Sequence, residues 1–205
     1  MNDLLNVMRR LRGPGGCPWD QEQDHLSLRS YLLEEACEAI DALSAQDDEA
    51  SCEELGDVLL QIAFHSVIAE ERQAFSYANV EKSIIDKLIR RHPHVFGEVK
   101  VNGSAEVLSN WQAIKAAEKA DEVPVHPVLK VPQSLPALAR AQEVSKKLAM
   151  PKGDKASVAQ ALNQGDIGEM LLAVVNYARS EGINPEIALR ETLSRHIKEA
   201  LDAVE

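Results

Sequence analysis

Glu54-Leu55-Gly56-Asp57-Val58-Leu59-Leu60-Gln61-Ile62-Ala63-Phe64-His65-Ser66-Val67-Ile68-Ala69 is the stretch on which the reading of the fold turns. Placed on a helix, Val58, Leu59, Leu60, Ile62, Ala63, Phe64, Val67 and Ile68 cover most of the circumference. A helix apolar nearly all round is expected to be buried on most sides. A carboxylate at Asp57 then costs several kcal/mol unless it is paired or holds a cation. Gly56 costs about 1 kcal/mol relative to Ala in a helix interior, and is expected to mark a close backbone approach. Glu54 and Asp57 thus read as functional positions rather than as a solvated face.

Working outward, the rest of the chain reads as helix too. Residues 3–12 form a short amphipathic helix that stops at Gly13-Pro14-Gly15-Gly16. A long helix is expected from about Asp24 to Leu43, with Leu32, Leu33, Ala36, Ile40 and Leu43 on one stripe. Residues 44–50 connect it to the helix of about 51–72. Further helices are expected over 79–91, ending at His92-Pro93, and over 104–119. Residues 121–136 carry Pro124, Pro127, Pro132 and Pro136, which makes a stiff linker. Several helices follow, and no segment has a strand pattern. The expectation is an all-α protein. Asp166-Ile167-Gly168-Glu169-Met170-Leu171-Leu172 repeats the pattern of residues 54–60 without a gap, so the second half reads as a shortened copy of the first.

Composition agrees. Hydrophobic residues make up 45% of the 205 residues and aromatic residues only 4%, a globular, helix-favouring balance. The net charge of −11 argues against a nucleic-acid partner, which would need a basic patch. Cys17, Cys37 and Cys52 have no CxxC spacing and read as reduced thiols. Without a signal-peptide core or a run long enough for a membrane span, the expected location is the cytoplasm.

The chemistry concentrates in Tyr31-Leu32-Leu33-Glu34-Glu35-Ala36-Cys37-Glu38. Glu35 and Glu38 are one turn apart on a helix, and Glu54 and Asp57 repeat that spacing on the next. Two antiparallel helices can bring the pairs together. Four such carboxylates repel one another unless cations neutralise them. Oxygen-only ligands suit Mg²⁺, with Mn²⁺ as a substitute, rather than zinc. A ferritin-like di-iron site would want Glu-x-x-His on two helices, and the one such spacing, Glu22-x-x-His25, lies outside the acidic pair. A non-catalytic helical scaffold or nucleotide-binding regulator is the alternative from a different class.

Glu34-Glu35-x-x-Glu38, fifteen residues, then Glu54-x-x-Asp57 resembles the EExxE…ExxD motif of the MazG family of all-α nucleoside triphosphate pyrophosphohydrolases. Gly16-Cys17-Pro18-Trp19-Asp20, the Lys87–Phe96 segment and Trp111-x-x-x-Lys115 resemble the family in the same order. The resemblance implies a helical bundle of two MazG-like halves, the second shortened and diverged. Its boundaries are a catalytic domain over 1–120, a linker over 121–133 and a degenerate helical domain over 134–205. It implies Mg²⁺-dependent hydrolysis of nucleoside triphosphates to monophosphate and pyrophosphate. Glu35, Glu38, Glu54 and Asp57 would be metal ligands, and Glu34 a ligand or a group that positions water. Glu34, Glu35 and Glu38 form the expected catalytic set. Lys87 and Arg91 would hold phosphate oxygens. Trp111 would stack on base or ribose or fill a core or dimer contact, Lys115 would reach a phosphate, and Trp19 leans structural. A homodimer is expected, or else cover of the first half by the second. The second half lacks an EExxE element and is expected to bind no catalytic metal.

Overall fold

Glycine, proline and Asx residues set several of the helix limits. The computed structural model describes residues 1–118 and 125–203, and the chain divides into two compact units, Met1–Asp121 and Glu122–Glu205. In the first, α1 (Asn2–Arg12) ends at the Gly13-Pro14 step and α2 (Pro18–Glu22) follows the glycine loop. A Cβ at Gly16 would collide with the Leu11 carbonyl, which the amide of Cys17 already meets at 2.7 Å. Glycine is therefore required where the chain doubles back on α1.

The long acidic helix, α3 (Arg29–Ala45), begins five residues later than the expected Asp24. Asp24 Oδ1 accepts from the amides of Leu26 and Ser27, each at 2.7 Å. This turn uses the carboxylate locally instead of starting the helix there. Leu28, at its end, is fully buried. The next helices are α4 (Asp48–Glu71), α5 (Tyr77–Arg91), the single turn α6 (Pro93–Phe96) and α7 (Ser104–Ala117). Leu5 and Met8 of α1, Leu28, and Ala63, Phe64, Val67 and Ile68 of α4 make the core.

That core corrects the expectation for α4. Its buried apolar residues all lie in its second half, where the core shared with Leu5 and Met8 of α1 sits. Leu55 and Leu59 remain 49% and 41% exposed, and Asp57 is half-buried. Nothing approaches within 4 Å of the position a Cβ would take on Gly56, so no close backbone contact is made there. Arg12 anchors the loop beneath this core. Its side chain is 6% exposed and donates to both carboxylate oxygens of Glu71, at 2.9 and 2.8 Å, and to the carbonyls of Asp20 and Gln23.

The second unit holds a 3₁₀ turn (Pro127–Lys130), α8 (Ala137–Lys147), α9 (Lys155–Gln164), α10 (Ile167–Ser180) and α11 (Pro185–Asp202). Residues 121–124 of the expected linker, Pro124 included, lie outside the described residues. Asp154 and Ser157 form a capping box on α9. Asp166 caps α10 by accepting from the Glu169 amide. The carboxylate that would match Glu54 in the internal repeat is therefore engaged with backbone. Among the described residues there is no strand, and no helix is long and apolar enough to cross a membrane.

Candidate functional site

A two-residue connection brings the acidic pairs together. Gln46 takes a left-handed conformation (φ 57°) and closes α3 by donating to the carbonyls of Ala42 and Leu43. Asp47 then caps α4, its carboxylate accepting from the amides of Glu49 and Ala50. The result is a helical hairpin in which Glu35 and Glu38 of α3 meet Glu54 of α4, with Asp57 near enough to act on Glu35 and Glu54. Carboxylate oxygens of Glu35, Glu38 and Glu54 lie within 4.8 Å of one another.

Electrostatics at the hairpin record this crowding. Desolvation, then the negative charge of Asp57 and Glu38, pushes the Glu35 carboxyl above its usual range. Desolvation, then Glu38 and Asp57, does the same to Glu54. Asp57 thus borders the cluster and acts on both, although it stands outside the tight group of three. Glu34 is exposed and adds its charge to the field at Glu35. Oxygen donors alone, converging under mutual repulsion, fit a hard divalent cation.

Beside the hairpin on α3 and α4 lies an aromatic group. Trp19 meets Tyr31 and Phe64 edge-on, with centroids 5.9 and 6.4 Å away. This is a packing role for Trp19. His25 and His65 stack with their Nδ1 atoms 2.9 Å apart. Desolvation, then His25, lowers the pKa of His65. Gln61, one turn beyond Asp57, is buried with no partner for its Oε1.

The expected phosphate-binding residues form a separate group on α5 and α7. The Arg91 guanidinium carbon stands 5.3 Å from the Trp111 ring centroid, and Lys115 Nζ stands 4.8 Å from it. Three of the four are therefore together. Lys87, one turn before Arg91 on α5, has no ion-pair partner among the described residues. The residue that sequence reasoning missed is Glu118, which closes α7. Its carboxylate accepts from Arg91 Nη2 at 2.6 Å and Arg90 Nε at 2.7 Å. These hydrogen bonds, Arg91's first, pull its pKa down to about 2. The only local signal was its place one turn after Lys115.

An all-α chain with a carboxylate cluster on a helical hairpin and a basic, Trp-bearing group on the following helices has donor sets that suit a hard cation and a phosphate-bearing anion. The family profile of the MazG nucleotide pyrophosphohydrolase domain matches residues 23–96. The chain is 38% identical to a nucleoside triphosphate pyrophosphohydrolase of Escherichia coli, over 92% of this chain and 81% of that protein. It is 34% identical to the nucleoside triphosphate pyrophosphohydrolase/pyrophosphatase MazG of Thermotoga maritima, over 96% and 82%. A nucleoside triphosphate pyrophosphohydrolase of Mycolicibacterium smegmatis is 41% identical over 69% of this chain and 44% of its own. The chain belongs to the MazG family of nucleotide pyrophosphohydrolases, hydrolases that act on phosphoric anhydrides.

Proposed function

We propose that the chain hydrolyses nucleoside triphosphates to the monophosphate and pyrophosphate with Mg²⁺ as its cation. The observation that carries this reading is the convergence of Glu35, Glu38 and Glu54 within 4.8 Å on the α3–α4 hairpin. Glu35, Glu38, Glu54 and Asp57 would hold the cation, and Mn²⁺ would substitute. The bound ion supplies Lewis acidity toward the phosphoryl oxygens and neutralises the carboxylates. Glu34, exposed beside the cluster of three, would orient the attacking water. Lys87, Arg91 and Lys115 would hold phosphate oxygens of the bound triphosphate and offset their charge. Trp111 offers a flat surface to base or ribose. Water adds to the α-phosphorus, the bond from that phosphorus to the bridging oxygen breaks, and pyrophosphate leaves. Attack at the α-phosphorus rests on the likeness to the named pyrophosphohydrolases.

In the same reading the chemistry belongs to residues 1–120, residues 121–133 are a linker, and residues 134–205 act as a packing or dimerisation module without a catalytic cation. The chain is a cytoplasmic homodimer and takes no nucleic acid.

The decisive experiment incubates the protein with Mg²⁺ and a panel of nucleoside triphosphates and separates the products by ion-exchange chromatography. Monophosphate plus pyrophosphate is expected, with Glu38→Gln reduced at least about a hundredfold. Diphosphate plus phosphate would reject attack at the α-phosphorus. Full activity in Glu38→Gln would move the chemistry away from this hairpin.

A further inference from the structure

Arg91 enters the proposed site already held. Glu118 takes its Nε and Nη2 edge, with Nε 3.2 and 3.3 Å from the two carboxylate oxygens and Nη2 2.6 Å from Oε2. The pair is well enclosed, its side chains 16% and 18% exposed. A guanidinium has five N–H donors in a fixed fork, so this grip leaves both Nη1 hydrogens and one on Nη2 for another anion. Glu118 also fixes Arg90, whose Nε donates to Oε1 at 2.7 Å. The group does not become neutral. Arg90, Arg91 and Lys115 set three cations against one carboxylate, and Lys115 makes no ion pair among the described residues. An anion meeting this wall finds a guanidinium turned and locked beside the Trp111 ring, not a mobile side chain that must first be ordered.

We propose that Glu118 is the positioning residue of the triphosphate-binding wall, holding Arg91, and Arg90 beside it, so that the free edge of the Arg91 guanidinium and Lys115 together receive substrate phosphate oxygens next to Trp111. This rests on the reading that Arg91, Trp111 and Lys115 contact the nucleotide. Glu118 touches no substrate in this scheme. It acts through Arg91, whose free donors are the two Nη1 hydrogens and the second Nη2 hydrogen, at the end of the fork away from Nε. Because those contacts would form with bound substrate as well as in the transition state, their loss falls on KM more than on kcat.

The test measures steady-state pyrophosphate release with Mg²⁺ and a nucleoside triphosphate for the full chain and four variants. These are Glu118→Gln, Glu118→Asp, Arg91→Gln and the double variant Glu118→Gln/Arg91→Gln. Glu118→Gln is expected to raise KM about tenfold with kcat within about threefold, and Glu118→Asp to recover part of the loss. The double variant is expected to be no worse than Arg91→Gln alone, because the two losses are one interaction. The Mg²⁺-induced rise in melting temperature, which reports on the carboxylate hairpin, is expected to stay at the wild-type value in every variant; its loss would mean that Glu118 holds the fold and not the wall. An unchanged KM or additive losses would overturn the proposal. A lower KM in Glu118→Gln would do so as well, since Glu118 would then be competing with phosphate for Arg91. A wild-type chain that releases no pyrophosphate from any nucleotide would instead remove the functional reading, and this proposal with it.

Discussion

The pKa directions at Glu35 and Glu54 make a prediction at the scale of single carboxyls. Both are raised in the fold, by desolvation first and neighbouring carboxylates second, above a usual value of 4.5. A raised folded-state pKa means that the native state holds its proton more tightly than the unfolded chain does. These groups therefore favour folding at pH below about 4.5, and that advantage is lost as pH rises through their folded-state values. At neutral pH the cation-free cluster works against the fold, and a divalent cation held there would relieve it. Mg²⁺ is expected to raise the melting temperature clearly at pH 7.5 and to lose most of that effect near pH 4.5, as calorimetry would read. Glu54→Gln is expected to melt no lower than the wild type without Mg²⁺ and to gain little with it. A melting temperature indifferent to Mg²⁺ at pH 7.5 would count against a cation at this hairpin. The convergence was legible because it is local: i, i+3 spacing on each helix and a short connection between them suffice. Burial of Asp57 does not follow from an apolar pattern alone, and the crowding of like charges marks the cluster better.

At the scale of elements, what the sequence left hidden depends on partners far apart in the chain. The apolar circumference of α4 promised burial along its whole length, but enclosure requires a neighbouring helix, and the core α4 shares with α1 lies in its second half. The Arg91–Glu118 pair spans 27 positions, and the His25–His65 stack spans 40. No periodicity marks either. Arg12 shows the same thing in the energetics. Nothing around it in the sequence sets it apart from Arg9 or Arg10, yet its guanidinium ties α1, the loop around α2 and the end of α4 together. Truncation would strip the Asp20 and Gln23 carbonyls and the Glu71 carboxylate of a charged donor. Charge-assisted hydrogen bonds each contribute about 1.5–3 kcal/mol, and the Glu71 end is too exposed to count in full. Arg12→Ala is expected to destabilise the first unit by roughly 2–4 kcal/mol in urea denaturation, whereas Arg10→Ala, at an exposed position, should stay within about 0.5 kcal/mol. Equal effects from the two would mean that the buried hub contributes nothing beyond an ordinary surface arginine.

For the whole molecule the open question is what covers the apolar surface of the first unit. No residue of α5 is buried, although Ile84, Ile85, Leu88 and Ile89 lie on it, each 46–47% exposed. Leu33 of α3 and Leu55 and Leu59 of α4 add to the exposed apolar area. Scattered exposed leucines need no explanation, but helices lined with them on consecutive turns point to a surface that is covered in the working protein. A second copy of the chain is the occupant the homodimer reading supplies. A stable dimer buries about 800 Å² per partner. Sedimentation velocity at micromolar concentration is expected to give a dimer. Ile85→Glu discriminates well, because on a solvent-facing helix of a monomer it would change stability by no more than about 0.5 kcal/mol. In a dimer interface it places an unpaired charge among aliphatic side chains, and the expected outcome is a monomer with a lower, concentration-independent melting temperature. A wild-type chain that sediments as a monomer, and an Ile85→Glu variant that melts with it, would show that no second copy covers this face.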